Sequence, residues 1–121
     1  MLATTKIAAD LAALSAGGVV AWGLLLALAI EIATSVLRFG FGMKATESTA
    51  FLAGYTAGLR IHHGYVGVAL LLVSFALADP AWRKGALVAG IGLVVSDLAH
   101  HFLVLWLLTG HHEFYFRYPK P

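Results

Sequence analysis

Apolar residues fill three long stretches of this chain, and few polar side chains interrupt them. From about Val19 to Phe39, and again from about Gly85 to Leu108, the run matches the roughly 20 apolar residues that cross a bilayer core. The stretch between them, Ser48 to Ala78, is broken only by Arg60 and by histidines. As one helix it would be about 46 Å long, so its first turns are expected to project into the headgroups or to bend near Gly58 or Gly64. Ser48 or Thr46, beside Glu47, is its expected N-cap. Asp79-Pro80 ends it and starts the next helix, because proline disfavours a helical residue before it and suits a first helical turn. The pattern predicts an all-α integral membrane protein, one transmembrane domain over residues 1–121. Its spans are expected at about 19–39, 50–78 and 85–108, with a tight hairpin between the second and third.

Both ends read differently from the spans. Thr4 to Ala16 imitates a signal peptide, but Asp10 falls within the would-be apolar core. An amphipathic surface helix, or an extension of the first span, is expected there instead. Gly110 to Pro121 carries Phe114, Tyr115, Phe116 and Tyr118 and reads as an aromatic tail at the membrane interface. Within it, His111-His112-Glu113 is expected to bind metal only adventitiously. Gly54-x-x-x-Gly58 and Ala86-x-x-x-Gly90 are expected to let helices pack closely.

Composition supports the membrane reading. With 60% hydrophobic residues, 12% charged residues and a mean hydropathy of +0.87, 121 residues hold more apolar surface than one small core can hide. Lipid or protein partners must cover it, and self-association or a place among other membrane subunits is expected. The sequence contains no Cys, which excludes disulfides and thiolate metal sites. It also contains no Asn or Gln, which leaves polar work to His, Asp, Glu, Arg, Ser, Thr, Tyr and Trp. A net charge of +2 and a pI near 9.2, without a basic run, do not point to nucleic acid. The expected location is a prokaryotic cell membrane. Basic residues on the two faces leave the orientation open.

The candidate chemistry lies in two histidine pairs. His62-His63 and His100-His101 mirror one another about the 79–84 turn, so antiparallel helices would hold all four imidazoles at one depth, roughly 27 Å from that turn. Asp97 shares a helix face with His101 at four-residue spacing. Glu31 reaches the same layer from the first span, about 12 Å inside its end. Adjacent histidines on a helix diverge by about 100°, so one ion is expected to take Asp97, His101, Glu31 and only one of His62 and His63. His100 is left for a second ion or for a carboxylate. Arg38 and Arg60 lie near the same face. Ionisable groups gathered inside a bilayer are costly and mark function. Imidazole and carboxylate without thiolate suit Cu(II), Fe(II) or Zn. Haem b, ligated by two histidines beside Gly64, Gly67 and Ala99, is an alternative cofactor. A structural accessory subunit, its polar groups locking helices together, is the alternative function, and a proton or ion pathway a further one.

Asp97-x-x-x-His101, with His112-Glu113-Phe114-Tyr115 and Tyr118-Pro119 after it, resembles the copper-site region of the C subunit of the particulate methane and ammonia monooxygenases. The resemblance covers residues 97–119 and implies Asp97, His101 and His112 as copper ligands. The second-to-third ligand gap is shorter here, the chain is much smaller, and the doubled histidines lie outside that pattern. The depth argument instead favours His62 or His63 as third ligand. No nucleophile elbow, phosphate loop, metalloprotease signature or dinucleotide fingerprint occurs, so an enzyme would need the metal or a haem. The sequence as a whole reads as a metal-binding membrane protein, a redox or metal-handling subunit of a larger complex.

Overall fold

The computed structural model describes residues 2–120, and its secondary structure is helical. The helices are α1 (Leu2–Ala13), α2 (Ala16–Gly40), α3 (Ala45–Ser48), α4 (His63–Ser74) and α5 (Pro80–Thr109). A 3-10 turn, Ala50–Gly54, follows α3. The end of α2 (Val36–Gly40) and an internal stretch of α5 (His100–Leu105) are wound as π-helix. α5 is the central element, with α4, α2 and α1 packed against it.

The turn between α4 and α5 forms as its sequence requires. Asp79 accepts from Ala81 N and Trp82 N at 2.9 and 3.0 Å, and Pro80 occupies the first helical position. Arg83 donates to Leu77 O at 2.9 Å and closes the exposed end of α4. At the other junction Ser15 caps α2 by accepting from Gly18 N. α1 is thus a separate helix and not an extension of the first span. Lys84 ties it down by donating to Ala12 O and Leu14 O at 2.6 and 2.5 Å.

Two helices, not three, are long and apolar enough to cross a membrane: Ala16–Gly40 with 25 residues and Pro80–Thr109 with 30. The expected span over 50–78 is broken, and only the 12 residues of α4 remain regular there. The cause is local. Ala57 and Gly58 take φ of 53° and 80°, in the left-handed region, and the bend expected at Gly58 or Gly64 is a complete break at Gly58. Residues 59–61 leave that turn extended and pair with the C-terminal tail through Arg60 N to Phe116 O (3.0 Å) and Tyr118 N to Gly58 O (2.9 Å). Upstream, Lys44 and neither Thr46 nor Ser48 stands at the N-cap of the short α3.

Glycines set the helix spacing. A Cβ on Gly67 would lie 2.8 Å from Gly90 O, and one on Gly90 would lie 3.0 Å from Gly67 O, so α4 and α5 touch backbone to backbone. One turn on, Gly92 receives Leu26 of α2, while Gly23 of α2 receives Ile91. Gly90 therefore packs as expected. Gly54 and Gly58 do not, since no atom lies within 4 Å of where their Cβ would be.

The resulting molecule is polar inside and apolar outside. Its buried residues include Arg60, His62, Ser74, Ser96, Asp97 and His101, whereas Trp22, Leu28, Ile32, Leu72, Phe102 and Leu107 lie exposed on the helix exteriors. That distribution inverts the one expected of a water-soluble domain. Substituting Gly67→Ala should force α4 and α5 apart and destabilise the fold by about 1–3 kcal/mol. Gly54→Ala should leave it unchanged. Thermal unfolding of the two variants in one detergent makes the comparison.

Candidate metal centre

Breaking the second span puts His62 where an unbroken helix would not. His62 is extended (φ −84°, ψ 145°) and stands at the N-cap of α4, with His63 the first helical residue. The two side chains therefore escape the 100° divergence of neighbours within a helix, and both turn an Nδ1 toward Asp97. Asp97 Oδ1 lies 3.3 Å from His63 Nδ1, 3.6 Å from His62 Nδ1 and 3.8 Å from His101 Nε2. His62, Asp97 and His101 are each at least 96% buried, and ligand atoms from the three lie within 4.8 Å of one another. This group could hold a metal ion.

The opposite edge of each imidazole decides what faces the carboxylate. His62 Nε2 is 2.9 Å from Tyr115 O, and His101 Nδ1 is 2.7 Å from His112 O. A carbonyl only accepts, so each of those ring nitrogens carries the proton. His63 Nε2 lies 3.0 Å from Ser96 Oγ, whose own hydroxyl donates to Leu93 O at 3.3 Å. That arrangement lets His63 donate from Nε2 as well. With the rings neutral, three lone pairs face one buried carboxylate oxygen that has no hydrogen-bond partner. Such a set could hold a cation, and engaging the far nitrogen of a histidine is how proteins orient metal ligands.

Glu31 and His100 are brought together with each other and apart from this group. Glu31 Oε1 is 2.9 Å from His100 Nδ1 and accepts from Ser35 Oγ at 2.8 Å, while Thr34 Oγ1 stands 3.4 Å from the same ring nitrogen. Neither contributes an atom to the His62, Asp97 and His101 group. The mirror symmetry of the histidine pairs is half realised. His62 meets His101 with ring centroids 5.0 Å apart, but His63 turns to Ser96 and Asp97 and His100 turns to α2.

The tail covers the group. Its backbone supplies the carbonyls of His112 and Tyr115, and Phe114 stacks on His62 at 4.1 Å while presenting its face or edge to His101 at 5.1 Å. Glu113 takes φ 51°, a left-handed conformation that costs a non-glycine residue roughly 1–2 kcal/mol. It lies between the two carbonyls that fix the imidazoles. The His112 ring, a copper ligand by the monooxygenase likeness, instead stacks on Trp106 at 5.8 Å on the exposed surface. What serves the site is its carbonyl. Ser96 likewise belongs to the site, and Gly64 and Phe114 serve it in ways other than those expected of them.

Two arginines complete the surroundings. Arg38, in the π-wound end of α2, donates to Glu113 Oε1 at 2.7 Å, and Arg60 donates through Nη1 to Glu113 O at 2.7 Å. Both line a cavity of about 340 Å³ that also borders His62, His63, Asp97, His100 and His101. The slot expected for a porphyrin is filled. A Cβ on Gly64 would lie 2.6 Å from Asp97 Oδ2, Gly67 is closed by α5, and Asp97 Oδ1 stands between the imidazoles.

Comparison with protein-family models, with curated proteins and with solved structures finds no match for this chain. The monooxygenase likeness thus gains no support from these comparisons.

Nitrogen-resolved NMR of the metal-free protein near neutral pH should show His62 and His63 protonated at Nε2 and His101 at Nδ1. Two protons on any of these rings would mean that a charged imidazole, and not an ion, is the partner of Asp97. Alanine ordinarily suits a helix better than glycine. Gly64→Ala should nevertheless displace the Asp97 carboxylate and weaken metal binding by about 10–100-fold, the range found when a ligand's support is lost.

Proposed function

We propose that this protein is an integral membrane protein that binds one transition metal ion through His62, Asp97 and His101, with His63 as fourth ligand. The observation that carries the reading is the orphaned Asp97 Oδ1 faced by three ring nitrogens, each ring having a partner for a proton on its opposite edge. The distances fit an ion. Donors about 2.0–2.1 Å from a tetrahedral centre lie roughly 3.3–3.4 Å from one another. The three separations from Asp97 Oδ1 run from 3.3 to 3.8 Å, and the ligand atoms of His62, Asp97 and His101 lie within 4.8 Å of one another, so these three would draw inward on taking the ion and His63, outside that group, would follow. Three imidazoles and one carboxylate suit Zn, Cu(II) or Fe(II), and the sequence holds no thiolate to compete for the ion. A metal-handling or redox role in the membrane follows from that donor set.

The membrane placement rests on the two long apolar helices and the inverted burial pattern. α4 is about 18 Å long, too short to cross alone. Its N-terminus stops at the depth of Asp97, and the irregular residues 55–62 beyond it are held by the tail. Non-helical backbone at membrane depth is tolerated where protein buries it in this way.

Protein purified without a polyhistidine tag and reconstituted with Zn, Cu or Fe should carry about one equivalent of metal. Asp97→Asn or His101→Ala should lower that below about a tenth, while His112→Ala and Glu31→Gln should retain it. Wild-type protein that holds no metal after reconstitution would leave the polar groups with a packing role only. Because the imidazoles must be neutral to bind, affinity should fall as pH is lowered and protons compete for the same lone pairs.

A further inference from the structure

The cavity beside the metal group is larger than an ion requires, and two arginines lie on its wall. At about 340 Å³ it lies at the small end of ligand pockets. Arg60 is 5% exposed, yet only its Nη1 is engaged, on Glu113 O. Among the described residues Nε and Nη2 make no hydrogen bond. Those two donors form one edge of the guanidinium fork, the edge that matches both oxygens of a carboxylate. Arg38 is similar, with Nη2 on Glu113 Oε1 and a buried Nε that has no partner.

Charge sets the sign of the ligand. Arg38 and Arg60 face Asp97, Glu113 and the adjoining Glu31, so with neutral imidazoles two positive charges stand against three negative ones. A divalent ion turns that deficit of one into an excess of one. One monoanion closes the balance. Interiors walled by apolar helices tolerate little uncompensated charge.

We infer that the cavity admits a small monoanionic carboxylate, held in the fork of Arg60 beside the metal, where it adds to the four protein donors as a fifth ligand. The inference rests on the metal reading above, and metal content and anion response are measured separately. The probe is full-length protein in detergent, loaded with Co(II), whose visible bands report changes at the ion. Cobalt stoichiometry is read first, then the bands are followed during titration with formate and, in parallel, with formamide. Formate should perturb the bands saturably, and neutral formamide of nearly the same shape should not. Arg60→Gln should keep the cobalt stoichiometry while its half-saturating formate concentration rises at least about tenfold, as expected on loss of a charge-assisted pair. Bands that ignore formate, or that respond alike to formate and formamide, overturn the inference and leave the metal site standing. So does an Arg60→Gln variant that responds as wild type. If the wild type takes up no cobalt, zinc, copper or iron, the metal reading itself fails and the carboxylate site falls with it. Should Arg60→Gln not hold cobalt, the contrast of formate with formamide in the wild type decides.

Discussion

A single buried carboxylate oxygen, Asp97 Oδ1, is the constraint around which the site side of the molecule is arranged. An ion taken out of water without compensation costs several kcal/mol, and ordinary proteins offset this with hydrogen-bond donors. Here no donor is supplied. The three imidazoles that surround the oxygen each have a partner on their far edge, Tyr115 O, His112 O and Ser96 Oγ, so each neutral ring turns a lone pair toward it. Electron-rich atoms gathered in this way repel one another unless a positive charge enters. A metal ion could supply that charge.

The rest of the fold reads as the means of holding those atoms in place. Gly67 and Gly90 bring α4 and α5 into backbone contact, and Gly64 extends that proximity by the one residue needed to admit the Asp97 carboxylate against α4. The N-terminal end of α4, with its unpaired amides and partial positive charge, then abuts the anion. Shortening α4 is the structural cost of the site. An unbroken second span would have carried His62 around to a different face, whereas the turn at Ala57 and Gly58 frees it to approach beside His63. The pairing of residues 58–60 with the tail then places Tyr115 and His112 over the rings.

Much of this was legible in the sequence and some was not. The Asp79-Pro80 turn, the two long apolar helices and the gathering of Asp97 with His101 followed from spacing, because helical period and proline chemistry act locally. The break in the second stretch did not. Its apolar composition is the same whether helical or irregular, and Ala57, which takes φ of 53°, is an ordinary helix former whose left-handed conformation tertiary contacts impose. The approach of both His62 and His63 to Asp97 descends from it, since a 100° divergence applies only inside a helix. The tail's part in the site was hidden for a different reason. It serves the site through backbone carbonyls, which every residue possesses, so its histidine and aromatic side chains drew attention to the wrong atoms. Glu31 stood at the expected depth but on a helix whose nearest partner is His100, and depth alone does not choose among neighbours.

The two ends of the molecule differ in what stabilises them, and this bears on how the site is made. At the turn end, Asp79 caps α5, Arg83 closes α4 and Lys84 anchors α1, all through contacts complete within the chain. At the site end the enclosed residues are mainly polar, and the apolar side chains buried there reduce to Leu105 and Tyr118. Packing alone gives little to order the tail against Glu113's left-handed backbone and Asp97's desolvation. A bound cation would supply what is missing, because it converts the mutual repulsion of four ligand atoms into attraction and couples metal affinity to the ordering of the segments that carry them. His62 lies in the irregular segment and its carbonyl partner in the tail, so an ion at Asp97 joins the two least regular parts of the chain to its most regular helix.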